Sequence, residues 1–115
     1  MIKSNTLCII PARGGSKRIP KKNIHLFQGK PLIAWSIELA QKTDLFSTIM
    51  VSSDDHEILA IASKYGADVP FVRSPTTSND YATTSAVLSE VISEYDQIGQ
   101  SFAQACCVYP TAILA

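Results

Sequence analysis

With 115 residues, 46% of them hydrophobic, the chain holds material for one domain around one modest core, spanning 1–115. Ten basic and ten acidic side chains cancel, so no global field draws it to nucleic acid or to an anionic membrane. No apolar run approaches the ~18–20 residues that cross a bilayer and no signal-peptide pattern opens the chain, so a soluble, cytoplasmic protein is expected.

In chain order, residues 6–10 (Thr-Leu-Cys-Ile-Ile) form a short apolar run with branched side chains, which predicts a strand buried on both faces. A polar, glycine-containing stretch over 12–29 follows, and long structured loops inside compact domains are usually functional. Pro31 suits a helix's first turn; Leu32, Ile33, Ile37 and Ala40 then recur at helical spacing, predicting a helix over 31–43 with Trp35 in the core. Ile49, Met50 and Val51 place a second buried strand over 47–52. Asp54 is expected to cap the next helix while Glu57 reaches back, and Gly66 is placed to stop it. Residues 69–72 read as a short extended piece, and 74–81 as a polar loop. A third helix is predicted over 83–96, with Val87, Leu88, Val91, Ile92 and Tyr95 on one stripe. A third core strand is predicted over 103–109. Cys8, Cys106 and Cys107 are odd in number and lack CxxC spacing, so they read as small packing residues in a reducing compartment.

Strand and helix alternating in this way predict an α/β fold, a parallel sheet with helices on both faces. Ligands of such sheets bind beyond the carboxyl ends of the strands. Three loops fall there: 11–23, 52–55 and 109–112.

The first of these loops carries the chemistry. Six of the ten basic residues, Arg13, Lys17, Arg18, Lys21, Lys22 and Lys30, crowd into one stretch, and no carboxylate lies between Met1 and Trp35. That excess calls for an anion. Gly14 and Gly15 let the backbone approach a ligand without Cβ interference, and successive N–H groups there form an anion nest. Ser16 adds a hydroxyl, Arg13 a planar fork matched to phosphate oxygens, and Lys17 and Lys22 point charges. Together they suit a triphosphate of ~4 negative charges. Neither GxxxxGK(S/T) nor GxGxxG occurs, which argues against a P-loop NTPase and a dinucleotide Rossmann site. A solvated basic turn or a nucleic-acid patch is the competing reading; the latter usually brings aromatics, and Phe27 is the only one nearby. His25 and His56 lack zinc spacing, helix capping accounts for Asp54 better than metal ligation, and Ser52 and Ser53 have no triad.

The segment IPARGGSKRIPKKNI at residues 10–24 resembles the opening signature of the acylneuraminate cytidylyltransferase family, the CMP-sialic acid synthetases and their relatives. The likeness continues through GKPLIAWSIE at 29–38, IMVSSDDHEI at 49–58, YGADVPFVR at 65–73 and CVYPTA at 107–112. GADVPF and CCVYPTA look most like the pseudaminic acid branch; the neuraminic acid branch commonly has Gln at the position of Tyr109.

The resemblance implies a Rossmann-like nucleotide-diphospho-sugar transferase fold and transfer of CMP from CTP to a nine-carbon sugar acid, with magnesium helping and pyrophosphate leaving. Ala12, Arg13, Gly14, Gly15, Ser16, Lys17, Lys22 and Asn23 match the triphosphate-binding loop, with Arg13, Lys17 and Lys22 taking the catalytic charge. Such preorganised donors contribute ~3–4 kcal/mol each where they act mainly on the transition state. Asp80 and Thr84 match positions near the nucleotide, and Tyr109, Pro110 and Thr111 the turn lining the sugar-acid pocket. These five fit a structural loop role equally well.

The resemblance also implies a homodimer, with neither nucleic acid nor membrane as partner. Family members run to roughly twice this length, and their metal-binding aspartates lie in the second half. The chain therefore reads as the N-terminal nucleotide-binding half. It is expected to supply no metal ligand, to bind CTP weakly and to turn over poorly, with an uncovered sheet face and an aggregation-prone last strand. Ile113 stands where the family pattern usually has Pro. Within the same chemistry the alternatives are N-acetylneuraminic acid or the eight-carbon acid of lipopolysaccharide cores. Outside it, the alternative is a non-catalytic nucleotide-binding module.

Overall fold

The computed structural model describes residues 5–12, 26–72 and 84–108, and the elements named here lie within them. Strand β1, Thr6–Pro11, is buried at every position. It is the middle strand of a three-stranded sheet, flanked by β4 (Thr48–Ser52) and β5 (Gln104–Cys107), both parallel to it. Between β1 and β4 come a two-stranded ribbon, β2 (Leu26–Phe27) and β3 (Lys30–Pro31), and helix α1 (Leu32–Thr43). Helices α2 (His56–Lys64) and α3 (Thr84–Gln97) lie between β4 and β5.

Alternation along β1 divides the core into two layers, because successive strand side chains face opposite sides. Cys8, Ile10 and Ala12 pack with Ile33, Ile37 and Ala40 of α1 and with Ile58 and Ala62 of α2. Leu7 and Ile9 face the other way, onto Met50, Val91 and Tyr95, with Phe71, Leu88 and Phe102 packed alongside. Both faces of β1 are thus apolar. That is why its sequence is a continuous hydrophobic run rather than an alternating one. Helices cover both faces of β1 and β4, so the expectation of an uncovered face is corrected there.

Three expectations shift. The cap of α2 is Asp55, not Asp54: extended at φ −104° and ψ 119°, Asp55 accepts from the Glu57 N–H at 2.8 Å and the Ile58 N–H at 3.3 Å. The Ser53 hydroxyl takes Asp55's own N–H at 3.1 Å, and this fixes the turn one residue later than the sequence suggested. Asp55→Ala is expected to cost about 0.5–2 kcal/mol in urea-induced unfolding, the usual worth of an N-cap side chain. Secondly, β5 is an edge strand among the described residues rather than a core strand: Gln104, Ala105 and Cys106 are exposed, with β1 alone flanking it among those residues and the helices lying over β1 and β4. Cys106 therefore does not serve as a packing residue, whereas Cys8 is fully buried.

Thirdly, the stretch read as loop up to Gly29 ends in the ribbon. Gln28 and Gly29, both at positive φ (51° and 82°), make its two-residue turn. Glycine at the second of these positions was the signal for it.

The predicted stop of α2 holds, while two smaller expectations shift. Gly66, at φ +95°, donates to the Ser63 carbonyl at 3.1 Å while the Ala67 N–H reaches Ala62 at 3.0 Å, a Schellman ending for α2. Asp68 then bridges Met50 in parallel, in place of the extended piece expected one residue later. Trp35 is half-buried rather than in the core, because its ring lies at the surface under the Lys30 ammonium, 4.3 Å from the ring centroid.

Candidate active site

The carboxyl ends of the three parallel strands form one rim. Pro11 pairs with Ser52, and the Ala12 N–H continues the ladder to the Ser52 carbonyl at 2.9 Å. On the other side the Val108 N–H reaches the Ile9 carbonyl at 2.9 Å. The chain therefore leaves for residues 13–25 from the middle of this rim. The Ser53–Asp55 turn stands on one flank and the end of β5 on the other.

Of the predicted site residues, Ala12 is placed at the rim, 1% exposed and packed in the α1–α2 layer, so it contributes backbone rather than side chain. Thr84 opens α3. Arg13, Gly14, Gly15, Ser16, Lys17, Lys22, Asn23, Asp80, Tyr109, Pro110 and Thr111 lie outside the described residues.

Lys30 belongs to the basic excess but not to the rim. Its ammonium pairs with Glu38 at 2.5 Å and lies over Trp35, so its charge is used between β3 and α1. Sequence reasoning missed the role of Ser53, which is fully buried and shapes the second rim loop through its bond to Asp55. The neighbouring aspartate pair hid that role.

No three His, Cys, Asp or Glu side chains among the described residues gather as a cage. The Asp55 carboxylate is engaged as a helix cap, and Asp68 accepts the Tyr95 hydroxyl at 2.8 Å. No helix among the described residues is long and apolar enough to cross a membrane.

A three-stranded parallel sheet with helices on both faces of its middle strand defines an α/β fold. Its fold matches that of CMP:2-keto-3-deoxy-manno-octonic acid synthetase solved with CTP, at a TM-score of 0.71 and 23% identity, over 96% of this chain and 44% of that one.

Residues 7–115 match the family model described as cytidylyltransferase, and the chain belongs to that family. It is 53% identical over 108 residues to the pseudaminic acid cytidylyltransferase of Campylobacter jejuni subsp. jejuni, covering 94% of this chain and 47% of the relative. It is 37% identical over 106 residues to the CMP-N,N'-diacetyllegionaminic acid synthase of Legionella pneumophila, covering 92% and 46% respectively. The chain thus spans about half the length of these curated relatives.

Proposed function

We propose that the protein serves the transfer of CMP from CTP to a nonulosonic acid, pseudaminic acid before others, in cytoplasmic synthesis of surface glycans. One observation carries the reading: 53% identity over 108 residues to a pseudaminic acid cytidylyltransferase. The anomeric hydroxyl of the sugar acid attacks the α-phosphorus of CTP. A new oxygen–phosphorus bond forms as the hydroxyl proton is released to solvent, the bond from the α-phosphorus to the α–β bridging oxygen breaks, and pyrophosphate leaves with that electron pair.

Negative charge grows on the leaving group, and Arg13, Lys17 and Lys22 are the groups assigned to meet it. Gly14, Gly15, Ser16 and Asn23 supply hydrogen bonds around the same phosphates. Asp80 and Thr84 are assigned to the nucleotide side; Tyr109, Pro110 and Thr111 to the sugar acid. Magnesium is implied by the resemblance, and no cluster of three or more His, Cys, Asp or Glu side chains occurs among the described residues. A homodimer is the expected assembly.

The test joins these 115 residues to the second half of the Campylobacter relative and supplies CTP, magnesium and one sugar acid at a time. CMP-pseudaminic acid is expected as the preferred product, with kcat/KM at least about tenfold above that for N-acetylneuraminic acid. Equal or better use of N-acetylneuraminic acid would overturn the substrate assignment, and no pyrophosphate release with any acid would overturn the reaction.

A further inference from the structure

Ser52 ends β4 at the carboxyl rim, and its carbonyl takes the Ala12 N–H at 2.9 Å, where the basic stretch departs. Alternate residues of a strand share a face, so its side chain stands on the Met50 side of the sheet. Helix α3 covers that side: Val91 and Tyr95 lie against Leu7, Ile9 and Met50. Tyr95, near the end of α3, meets Phe102 at 5.2 Å just before β5 begins. The helix therefore runs from the carboxyl rim back to the amino end of the sheet, and its first turn lies toward the Ser52 end.

Ser52 is 3% exposed, and its hydroxyl has no hydrogen-bond partner among the described residues. The other buried serines there are engaged. Ser36 donates to the Leu32 carbonyl at 3.4 Å, and the Ser53 hydroxyl accepts the Asp55 N–H at 3.1 Å. A buried hydroxyl without a partner has given up water and received nothing in return, which costs stability and is uncommon in native proteins. Alanine would fill the position without that cost. A spare donor at the rim is accounted for by something that binds at the rim.

The surroundings define the acceptor. Neither residues 43–63 nor α3 holds a lysine or arginine, and Asp54 and Asp55 follow Ser52 within three positions. A phosphate buried here would lack a cation, whereas residues 13–22 carry five. Burying an unpaired charge costs far more than burying a neutral oxygen. The acceptor that suits Ser52 is therefore uncharged.

We propose that Ser52 is a nucleoside-binding residue, its hydroxyl donating to a neutral oxygen of CTP, either cytosine O2 or the ribose 2′-oxygen, while the basic stretch holds the phosphates. Resting on the CTP reading of the rim, this assignment gives β4 the nucleoside end of the ligand.

The test compares Ser52→Ala with the parent chain in urea unfolding and in calorimetric titrations with CTP, 2′-deoxy-CTP and inorganic tripolyphosphate. The expected result is a urea midpoint unchanged or raised, CTP affinity lowered about three- to tenfold, and tripolyphosphate affinity unchanged. Ser52→Cys, which keeps the volume with a weaker donor, should lose CTP affinity as well. An equal loss with 2′-deoxy-CTP supports the proposal with cytosine as the acceptor; a smaller loss supports it with the ribose.

Unchanged CTP affinity in Ser52→Ala would overturn the proposal, and a lowered urea midpoint beside it would make the hydroxyl structural. Tripolyphosphate affinity falling in step with that for CTP would overturn it too, by putting a phosphate at Ser52. A parent chain that binds neither ligand would sink the CTP reading itself, whereas equal binding of both by the parent would sink only the nucleoside contact.

Discussion

Tyr95→Ala is expected to remove about 3–5 kcal/mol of stability, a large part of the ~5–15 kcal/mol that holds a domain of this size. The side chain is 1% exposed and stands edge-on between Phe71, at 4.9 Å and 81°, and Phe102, at 5.2 Å and 83°. It joins three things: α3, the β1–β4 face, and the chain leaving Asp68. Its hydroxyl donates to the Asp68 carboxylate at 2.8 Å, and burial together with that bond pushes the phenol pKa up. Truncation would leave a cavity under the sheet, release Asp68 and unseat two rings. Tyr95→Phe removes the hydrogen bond alone and should cost about 0.5–1.5 kcal/mol, because exposed Asp68 can return to water. Urea unfolding of the two variants separates ring from hydroxyl. Equal losses would mean that packing between Phe71 and Phe102 is not what holds α3 down.

Lys17→Ala is expected to lower kcat for pyrophosphate release by about 100-fold or more while weakening CTP binding much less. The reason is where the charge moves. In ground-state CTP the loop meets charges already shared with solvent and counterions, whereas bond breaking adds new charge on the leaving pyrophosphate. A cation preorganised at that place acts on the transition state. Lys17→Arg keeps charge but changes its shape, so partial recovery is expected. Steady-state kinetics of these variants, in the chain joined to its relative's second half, check the split. A rise in KM with kcat untouched would make Lys17 a binding residue only.

Much of the fold was legible because its strands and helices carry different periods. The unbroken run Leu7–Ile10 could only be a strand covered on both sides, and α1 and α3 showed their stripes at helical spacing. What escaped depended on neighbours distant in sequence. Residues 104–107 read like a buried strand, yet their exposure is decided by sheet order, in which β5 takes the edge among the described residues. Asp54 and Asp55 are equally good caps by type; the choice fell to the Ser53 hydroxyl, which holds the Asp55 amide and sets the turn.

The site divides in the same way. The point from which the basic stretch departs was legible, since the chain following a strand of a parallel sheet leaves from the carboxyl rim, and Ala12 is found there with its N–H on the Ser52 carbonyl. Lys30 was counted with the loop's positive charge, but the turn at Gln28–Gly29 carries it back to Glu38 and Trp35.

The central claim is that the cationic stretch after β1 grips a nucleotide's phosphates. Titrating CTP into the 115-residue chain and into its Arg13→Ala/Lys22→Ala variant, at matched ionic strength, tests it directly. Loss of two charge-assisted contacts predicts at least about a tenfold drop in affinity. Equal affinity for the two proteins would contradict the account at its root.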